Sequence, residues 1–87
     1  MDATAIIYQI KNKKGKAKTY LIRKVFGYKD FSNNGNYYYN RQGLLSSYVI
    51  QKWGKSVIII NRKDEKKVAT TLNKNGIAFK MVRIRLD

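Results

Sequence analysis

Residues 56–86 read SVIIINRKDEKKVATTLNKNGIAFKMVRIRL, and this stretch decides the fold. Its first five residues form a mostly apolar run, which is typical of a central strand that is buried on both faces. Asn61 then stands at an N-cap position, acidic residues follow in the first helical turn, and Asn75 with Gly76 ends the helix. Residues 77–86 are β-prone again. A strand, a helix and a strand with such short connections predict a β-α-β unit with two parallel strands.

The N-terminal third predicts an antiparallel hairpin. Residues 5–10 are rich in β-branched and aromatic side chains, and residues 18–26 alternate between two faces in the same way. The segment between them, residues 11–16, is polar and contains Gly15, which is typical of a turn. Two strands joined by a short glycine-bearing loop form a hairpin most simply.

The middle of the chain is less regular. Residues 32–36 are predicted to be a loop from their Asn and Gly content, and Tyr37 to Tyr39 form either a short strand or an extended arm. Residues 42–53 carry an apolar stripe at helical spacing, and Gly54 suits the position after a helix end, so a short helix is favoured there. A strand is the alternative, because residues 48–50 are β-prone.

These segments predict a single basic α+β domain over residues 1–87. The fold class is a small sheet of four or five strands, with an N-terminal antiparallel hairpin, a C-terminal β-α-β unit and one or two short helices. A chain of 87 residues has room for one domain. Its 44% hydrophobic and 13% aromatic content is that of a folded protein rather than a disordered one.

The composition excludes several kinds of chemistry. The chain has no Cys and no His, so it has no disulfide, thiol nucleophile, zinc finger or imidazole base. Its five acidic residues are too few and too scattered for a two-metal nuclease or a carboxylate-pair glycosidase. We therefore predict a protein that is not an enzyme and that holds no metal and no cofactor.

The same features predict an intracellular location, in the cytoplasm, the nucleoid or a host cell. No apolar run approaches the ~20 residues of a membrane span. The first residues lack the basic start of a signal peptide. The absence of cysteine fits a reducing compartment. No helix pairs a long apolar face with a cationic one, so a membrane partner is not expected.

The charge balance is the most unusual property of the chain. Nineteen Lys and Arg residues against five Asp and Glu give a net charge of +14. This charge opposes folding by self-repulsion, so an anionic partner is expected to relieve it. A surface that is merely well solvated usually mixes both signs. Lysine predominates and binds phosphate as a point charge, which favours backbone contacts over base recognition.

The first candidate site is a lysine-rich segment at the predicted turn. It places five cations within eight residues: Lys11, Lys13, Lys14, Lys16 and Lys18. A turn projects side chains beyond the sheet, where their ammonium groups reach a phosphate backbone and release counterions. The alternative is a solvated loop tip whose lysines protect an edge strand.

The second candidate site is a tyrosine cluster followed by an arginine. It consists of Tyr37, Tyr38, Tyr39 and Arg41. Consecutive tyrosines in an extended chain cannot all face one core, so at least one is expected to be exposed. An exposed ring can stack on a base, and the guanidinium group can donate to bases or phosphates. The alternative is a strand whose outer tyrosine only covers its neighbours.

The third candidate site is the final strand, whose side chains alternate between two faces. One face holds Phe79, Met81, Arg83 and Arg85, and the other holds Lys80, Val82, Ile84 and Leu86. The Val82 face is predicted to be core, and the Phe79 face is predicted to stack on bases or follow phosphates. Alternatively, a helix covers Phe79 and Met81, and the arginines reach solvent beyond its end.

A fourth candidate is the polar side of the predicted helix over residues 62–74, with Arg62, Lys63, Lys66, Lys67 and Lys74. These cations could face a groove or phosphates. An ordinary solvated helix face is the favoured alternative, because Asp64 and Glu65 dilute the charge.

The combination of charge, aromatic residues and missing catalytic groups predicts a non-catalytic nucleic-acid-binding protein. Phosphate contacts dominate, and duplex DNA is slightly favoured over RNA because the lysines are spread over several elements. One alternative is a basic interaction protein that docks on an acidic partner or a nucleoprotein assembly, including a virus- or plasmid-encoded factor. Another is a metal-independent ribonuclease that uses Lys, Arg and Tyr. A homodimer or a protein partner is left open.

Overall fold

In the residues that the structure describes, a four-stranded antiparallel sheet with two helices forms the centre of the protein, and a two-stranded sheet is attached to it. The computed structural model describes residues 1–32 and 37–87, with the side chains of all of these except 31, 32, 37 and 38. The elements are β1 (Asp2–Gln9), α1 (Gly15–Phe26), β2 (Tyr28–Ser32), β3 (Tyr37–Arg41), β4 (Val49–Lys52), β5 (Val57–Asn61), a 3-10 turn (Arg62–Asp64), α2 (Glu65–Lys74) and β6 (Ala78–Arg85). The predicted α+β class is confirmed.

The strands of the main sheet follow the order β4-β5-β1-β6. Strand β1 is antiparallel to both of its neighbours, and Thr4 lies opposite Ile60 on one side and opposite Arg83 on the other. Strands β5 and β6 therefore run parallel to each other, as the predicted β-α-β unit requires, with β1 between them. Without the β2-β3 hairpin, the order of elements is β-α-β-β-α-β, which is the split β-α-β or ferredoxin-like topology.

Both helices pack on one face of the main sheet. The core there combines three isoleucines of the sheet with apolar residues of the helices: Ile6, Ile58, Ile60, Leu21, Val25, Phe26, Val68 and Leu72. Each such side chain contributes about 1.5–3 kcal/mol when fully buried. Three consecutive residues of β5, from Ile58 to Ile60, are almost completely buried. The prediction of a central strand that is buried on both faces is therefore confirmed.

The opposite face of the sheet carries a smaller cluster around Ile59. Val82 belongs to this face and is 49% exposed, whereas Phe79 and Met81 pack against the main core on the helix side. The main core thus lies on the Phe79 face of β6 and not, as predicted, on the Val82 face. Phe79 and Met81 are therefore partly buried in the main core, as the alternative to a base-stacking face requires.

The predicted N-terminal hairpin is wrong, because residues 18–26 belong to helix α1. The apolar residues of this segment fit two periods, since they alternate along a strand and also recur at helical spacing. In the helix Leu21, Val25 and Phe26 are buried together in the core. Burial of one helical face supplies most of the stability of a short helix, and this tertiary contact decides between the two periods.

The short helix favoured over residues 42–53 is also wrong. Residues 44–48 form turns, and β4 pairs with β5 as an edge strand. Gly54, with a φ of 80°, lies in the connection between these two strands rather than after a helix. The strand alternative is the better prediction, because β4 pairs with one edge of the apolar strand β5. A helix at this position would leave that edge unpaired. The pairing of β4 with β5 shifts register between Val49 and Gln51.

Candidate nucleic-acid interface

The β2-β3 hairpin leaves the main sheet directly after α1. Tyr28 lies opposite Arg41 at its base, and Asp30 lies opposite Tyr39 further along. The tyrosine cluster is therefore part of a strand, which is the first of the two predicted forms. The predicted loop at 32–36 lies, from residue 33 onward, outside the described residues.

The segment after the hairpin is fixed to the C-terminus of α1. The N–H groups of Leu44 and Leu45 donate to the carbonyl oxygens of Lys24 (3.0 Å) and Val25 (2.8 Å). These carbonyls belong to the last turn of the helix, where no intrahelical donor reaches them. Leu45 is fully buried in the main core. Polar and apolar contacts therefore hold this segment in one position.

Gly27 and Gly43 make the closest backbone approach at the base of the hairpin. A Cβ atom on Gly43 would collide with the backbone of Gly27 and Val25, and one on Gly27 would collide with the carbonyl oxygen of Arg41. Gly27 also adopts a φ of 79°, which glycine reaches at little cost. The two glycines thus set the distance between α1 and the hairpin.

A groove of about 860 Å³ lies between α1 and the base of the hairpin. The side chains that define this α1–hairpin groove are Lys16, Tyr20, Arg23, Lys24, Tyr28 and Arg41. In the described part of the chain, no carboxylate lines it. Four cations without a lining carboxylate give the groove a positive potential, which favours an anionic ligand.

Arginine and tyrosine side chains are paired within and beside the groove. The Arg23 guanidinium lies 4.6 Å from the centre of the Tyr28 ring, within the range of a cation–π contact. Arg41 forms an ion pair with Asp30 at 3.1 Å, and its guanidinium lies 5.7 Å from the centre of the Tyr39 ring. Both arginines remain exposed. These contacts orient the guanidinium groups and leave them accessible to a ligand.

Tyr20 is the most exposed aromatic residue of the groove. It lies on α1 and is 70% exposed. Lys16 and Lys24 are each four positions away along the helix, so both lie on the same helical face as Tyr20. A ring that is this exposed contributes little to packing, and its surface is free to stack on a ligand.

The N-terminus of α1 adds to the positive charge near the groove. Lys14 occupies the N-cap position, its side chain makes no capping hydrogen bond, and the first turn contains no acidic residue. The helix dipole is already positive at this end. Residues 11–20 are all exposed. The predicted lysine cluster therefore surrounds a helix start and not the turn of a hairpin.

The structure brings together part of the first two predicted sites. Lys16 and Arg41 both line the groove, and Tyr39 adjoins it through Arg41. Four more lysines are exposed around the start of α1: Lys11, Lys13, Lys14 and Lys18. The side chains of Tyr37 and Tyr38 lie outside the described part of the chain, so their role stays a prediction.

The remaining predicted site residues lie on other surfaces. Arg83 donates to both carboxylate oxygens of Glu65, at 3.2 and 3.3 Å. Arg85 lies 3.5 Å from Asp2. Lys63 and Lys67 are exposed on the 3-10 turn and on α2. None of these four predicted residues lines the groove.

The pair Glu65–Arg83 ties the start of α2 to the sheet. Glu65 also accepts a hydrogen bond of 2.5 Å from the hydroxyl of Thr4, which is fully buried in β1. The hydrogen bonds from Arg83 and then Thr4 lower the pKa of Glu65 below its ordinary value of 4.5. The hydrogen bond to Glu65 also raises the pKa of Arg83. Arg83 therefore has a structural partner within the fold.

Four of the six side chains that define the groove are absent from the predicted sites: Tyr20, Arg23, Lys24 and Tyr28. In a strand, Tyr20 and Lys24 would point to the face opposite Arg23. In a helix, residues 16, 20, 23 and 24 follow the spacing i, i+4, i+7 and i+8 and lie on one side. The apolar residues 21 and 25 recur at helical spacing, and the polar residues 16, 20 and 24 recur at the same spacing. This amphipathic helical pattern was the signal that could have identified the groove-facing side of α1.

Within residues 1–32 and 37–87, no cluster of three or more acidic side chains could hold a metal ion. None of the helices in those ranges is long and apolar enough to cross a membrane. Comparison of the chain with protein-family models, with curated proteins and with solved structures finds no match.

Proposed function

We propose that this is a non-catalytic nucleic-acid-binding protein whose affinity comes mainly from contacts to phosphate groups. The observation that carries the proposal is the concentration of exposed cations on and before α1. Residues 3–29 contain no acidic residue. The exposed cations of this stretch include Lys11, Lys13, Lys14, Lys16, Lys18, Arg23 and Lys24.

The ion pairs of the described residues do not involve the lysines of α1. Among the described side chains, four arginines pair with carboxylates: Arg41 with Asp30, Arg62 with Asp2, Arg83 with Glu65 and Arg85 with Asp2. Of these pairs, Arg41–Asp30 reaches the groove, and there the carboxylate of Asp30 is already engaged by Arg41. The charge of the α1 lysines is therefore available to an external anion.

A phosphate backbone fits the extent of this surface. The cations run from the segment before α1 to the last turn of the helix, and a helix of 12 residues is about 18 Å long. A small anion contacts one or two cations, whereas a nucleic-acid strand places a phosphate about every 3.4 Å along its axis. Several phosphates can therefore be neutralised together, and each one releases counterions.

A salt titration with paired variants tests the proposal. Lys16→Ala with Lys24→Ala removes two charges from the α1 surface, and Lys66→Ala with Lys74→Ala removes two from the exposed face of α2. We expect the α1 variant to reduce the slope of log K against log salt by about 2, and the α2 variant to change it by less than about 0.5. Equal losses in both variants would show that binding uses net charge without a defined surface.

Incubation with RNA in excess EDTA tests the non-catalytic part of the proposal. We expect the RNA to stay intact, because the chain has no histidine and no described carboxylate lines the groove to act as a general base at neutral pH. Cleavage that persists in EDTA would contradict this part and would favour the metal-independent ribonuclease.

A further inference from the structure

We propose that the α1–hairpin groove binds an unpaired nucleotide of a single-stranded nucleic acid, a step that rests on the proposed function and names the ligand of one site. The base stacks on the exposed ring of Tyr20, and the flanking phosphates lie near Lys16 and Lys24. The Arg23–Tyr28 pair provides a second flat surface for a neighbouring base. The lysines around the start of α1 bind phosphates of paired and unpaired strands alike.

The shape of the groove favours an unpaired base over a duplex. Its volume of about 860 Å³ falls within the range of about 300–1,000 Å³ that encloses small organic groups. A duplex is too wide to enter such a groove, and its bases are already stacked on both sides. It can rest its phosphates on the outer lysines. An unpaired base can enter and expose its flat face to the groove wall.

The walls of the groove carry the groups that bind a base. Tyr20 is 70% exposed, and the Arg23 guanidinium lies 4.6 Å from the Tyr28 ring centre while remaining exposed. Aromatic rings and guanidinium planes are the surfaces on which unpaired bases stack in proteins. An acidic peptide would use the cations of the groove but would gain little from these flat surfaces.

The spacing along α1 places charge on both sides of the stacking ring. Lys16 lies four residues before Tyr20, and Lys24 lies four residues after it. Side chains at this spacing are neighbours on a helix, with Cβ atoms about 5–6 Å apart. A base stacked on Tyr20 therefore brings the phosphates on its two sides toward two ammonium groups. This combination of a central ring and flanking cations matches the repeating unit of a single strand.

The test compares a labelled oligothymidylate of about 12 nucleotides with a duplex of the same length, by fluorescence anisotropy. Tyr20→Ala should weaken single-strand binding about 5- to 150-fold, the loss expected for one stacked base. Duplex binding should change less than about twofold, since the phosphate contacts of the lysines remain. Tyr20→Phe keeps the ring and should bind the single strand like the unchanged protein.

Trp53→Ala is the matched control, because Trp53 is also an exposed aromatic residue but lies beyond β4, outside the groove. It should leave single-strand affinity unchanged. If Tyr20→Ala binds oligothymidylate as tightly as the unchanged protein while the salt slope stays steep, the groove assignment is overturned and the proposed function stands. If the unchanged protein binds no nucleic acid at low salt, both fail. Displacement of oligothymidylate by polyglutamate at a lower charge concentration than by unlabelled oligothymidylate also overturns it, in favour of an acidic protein ligand.

Discussion

The backbone of Gly43 lies so close to the backbone nitrogen of Gly27 that a Cβ atom on Gly43 would collide with it. This contact joins the two ends of the β2-β3 hairpin. The hydrogen bonds from Leu44 and Leu45 to α1 follow immediately after it. One wall of the groove is α1 and the other is the hairpin base, so the Gly27–Gly43 contact sets the width of the groove. A clash with backbone atoms cannot be relieved by a change of side-chain rotamer, so the distance between Gly27 and Gly43 is fixed.

Gly43→Ala should destabilise the fold and also weaken single-strand binding. The new Cβ must displace the backbone of Gly27 or Val25, and overpacking of this kind costs about 1–3 kcal/mol. Urea denaturation measures the loss in the free energy of unfolding. Ser47→Ala, in an exposed turn position nearby, is the control and should change stability by less than about 0.5 kcal/mol. Equal stability of Gly43→Ala and the unchanged protein would show that the contact is loose.

Lys14→Ser should make the protein more stable and a weaker binder. The backbone at Lys14 is extended, with φ −134° and ψ 161°, as an N-cap requires, but its side chain makes no capping hydrogen bond. A serine there can accept from the first turn of α1 and add about 0.5–2 kcal/mol. Lys11→Ser removes the same charge without reaching the helix, so it should weaken binding with no gain in stability. Thermal denaturation measures the melting temperature of the two variants. A rise in the melting temperature of both would show that capping is not its cause.

Removal of three lysines at the start of α1 should weaken binding to all sequences alike. If the protein neutralises about 5–6 phosphates, log K falls against log salt with a slope near −5. Changing Lys13, Lys14 and Lys16 together to Ala should reduce that slope by about 2–3 units. The melting temperature should not fall, because the variant removes cations from the positive end of a helix dipole. An unchanged slope would mean that these lysines are only solvated.

The parts of the fold that the sequence predicts well are those whose pattern has one interpretation. The run from Ile58 to Ile60 can only be buried, and β5 is the central strand. Asn61 is predicted as a cap, and its side chain accepts a hydrogen bond of 3.2 Å from the N–H of Lys63. It caps the 3-10 turn, however, whereas α2 begins at Glu65 with Asp64 at its N-cap position. Residues 18–26 were open to two interpretations, because their apolar positions fit a period of two and also a helix. The choice depended on distant partners in β5 and α2, which no local pattern contains.

The candidate site is partly predictable for the same reason. The lysine segment and Arg41 stand out by composition alone, and both reach the groove region. The positions of Tyr20 and Arg23 in the groove follow only from the helix, since α1 turns these two residues toward the hairpin. The position of Tyr28 beside these two residues also depends on the contact between Gly27 and Gly43, which are far apart in the sequence. Because residues 18–26 were predicted as a strand and not as a helix, the sequence analysis missed Tyr20, Arg23 and Lys24, which are half of the side chains that define the groove.

The Glu65–Arg83 pair should make stability depend on pH on the acid side. Because the pKa of Glu65 is lowered in the folded state, its contribution is present above about 4.5 and is lost as the pH falls through the folded-state pKa. Glu65→Gln should therefore be less stable than the unchanged protein near pH 7, and the difference should shrink near pH 3. Urea denaturation at both pH values checks this. Arg83→Gln should show the same convergence, and a difference that persists at low pH would contradict it.

Matched Arg→Lys substitutions at positions 23 and 83 decide which arginine serves binding. Both changes keep the charge but remove the planar guanidinium group. Arg23 lies over Tyr28 in the groove, whereas Arg83 is engaged by Glu65. Arg23→Lys should weaken single-strand binding by about 1 kcal/mol, or roughly fivefold in Kd, through loss of the stacked surface. Arg83→Lys should leave Kd unchanged, since its interactions lie within the fold.

Affinity and melting temperature measured on the same two proteins separate the candidate surfaces. If the groove is the base-binding site, the affinity loss appears at position 23 and any stability loss at position 83. The opposite result, with Arg83→Lys weakening binding while Arg23→Lys does not, would move the interface to the final strand and favour the third site of the sequence analysis. If neither change alters Kd while the salt slope stays steep, the planar groups are not used, and the protein binds nucleic acid through point charges alone.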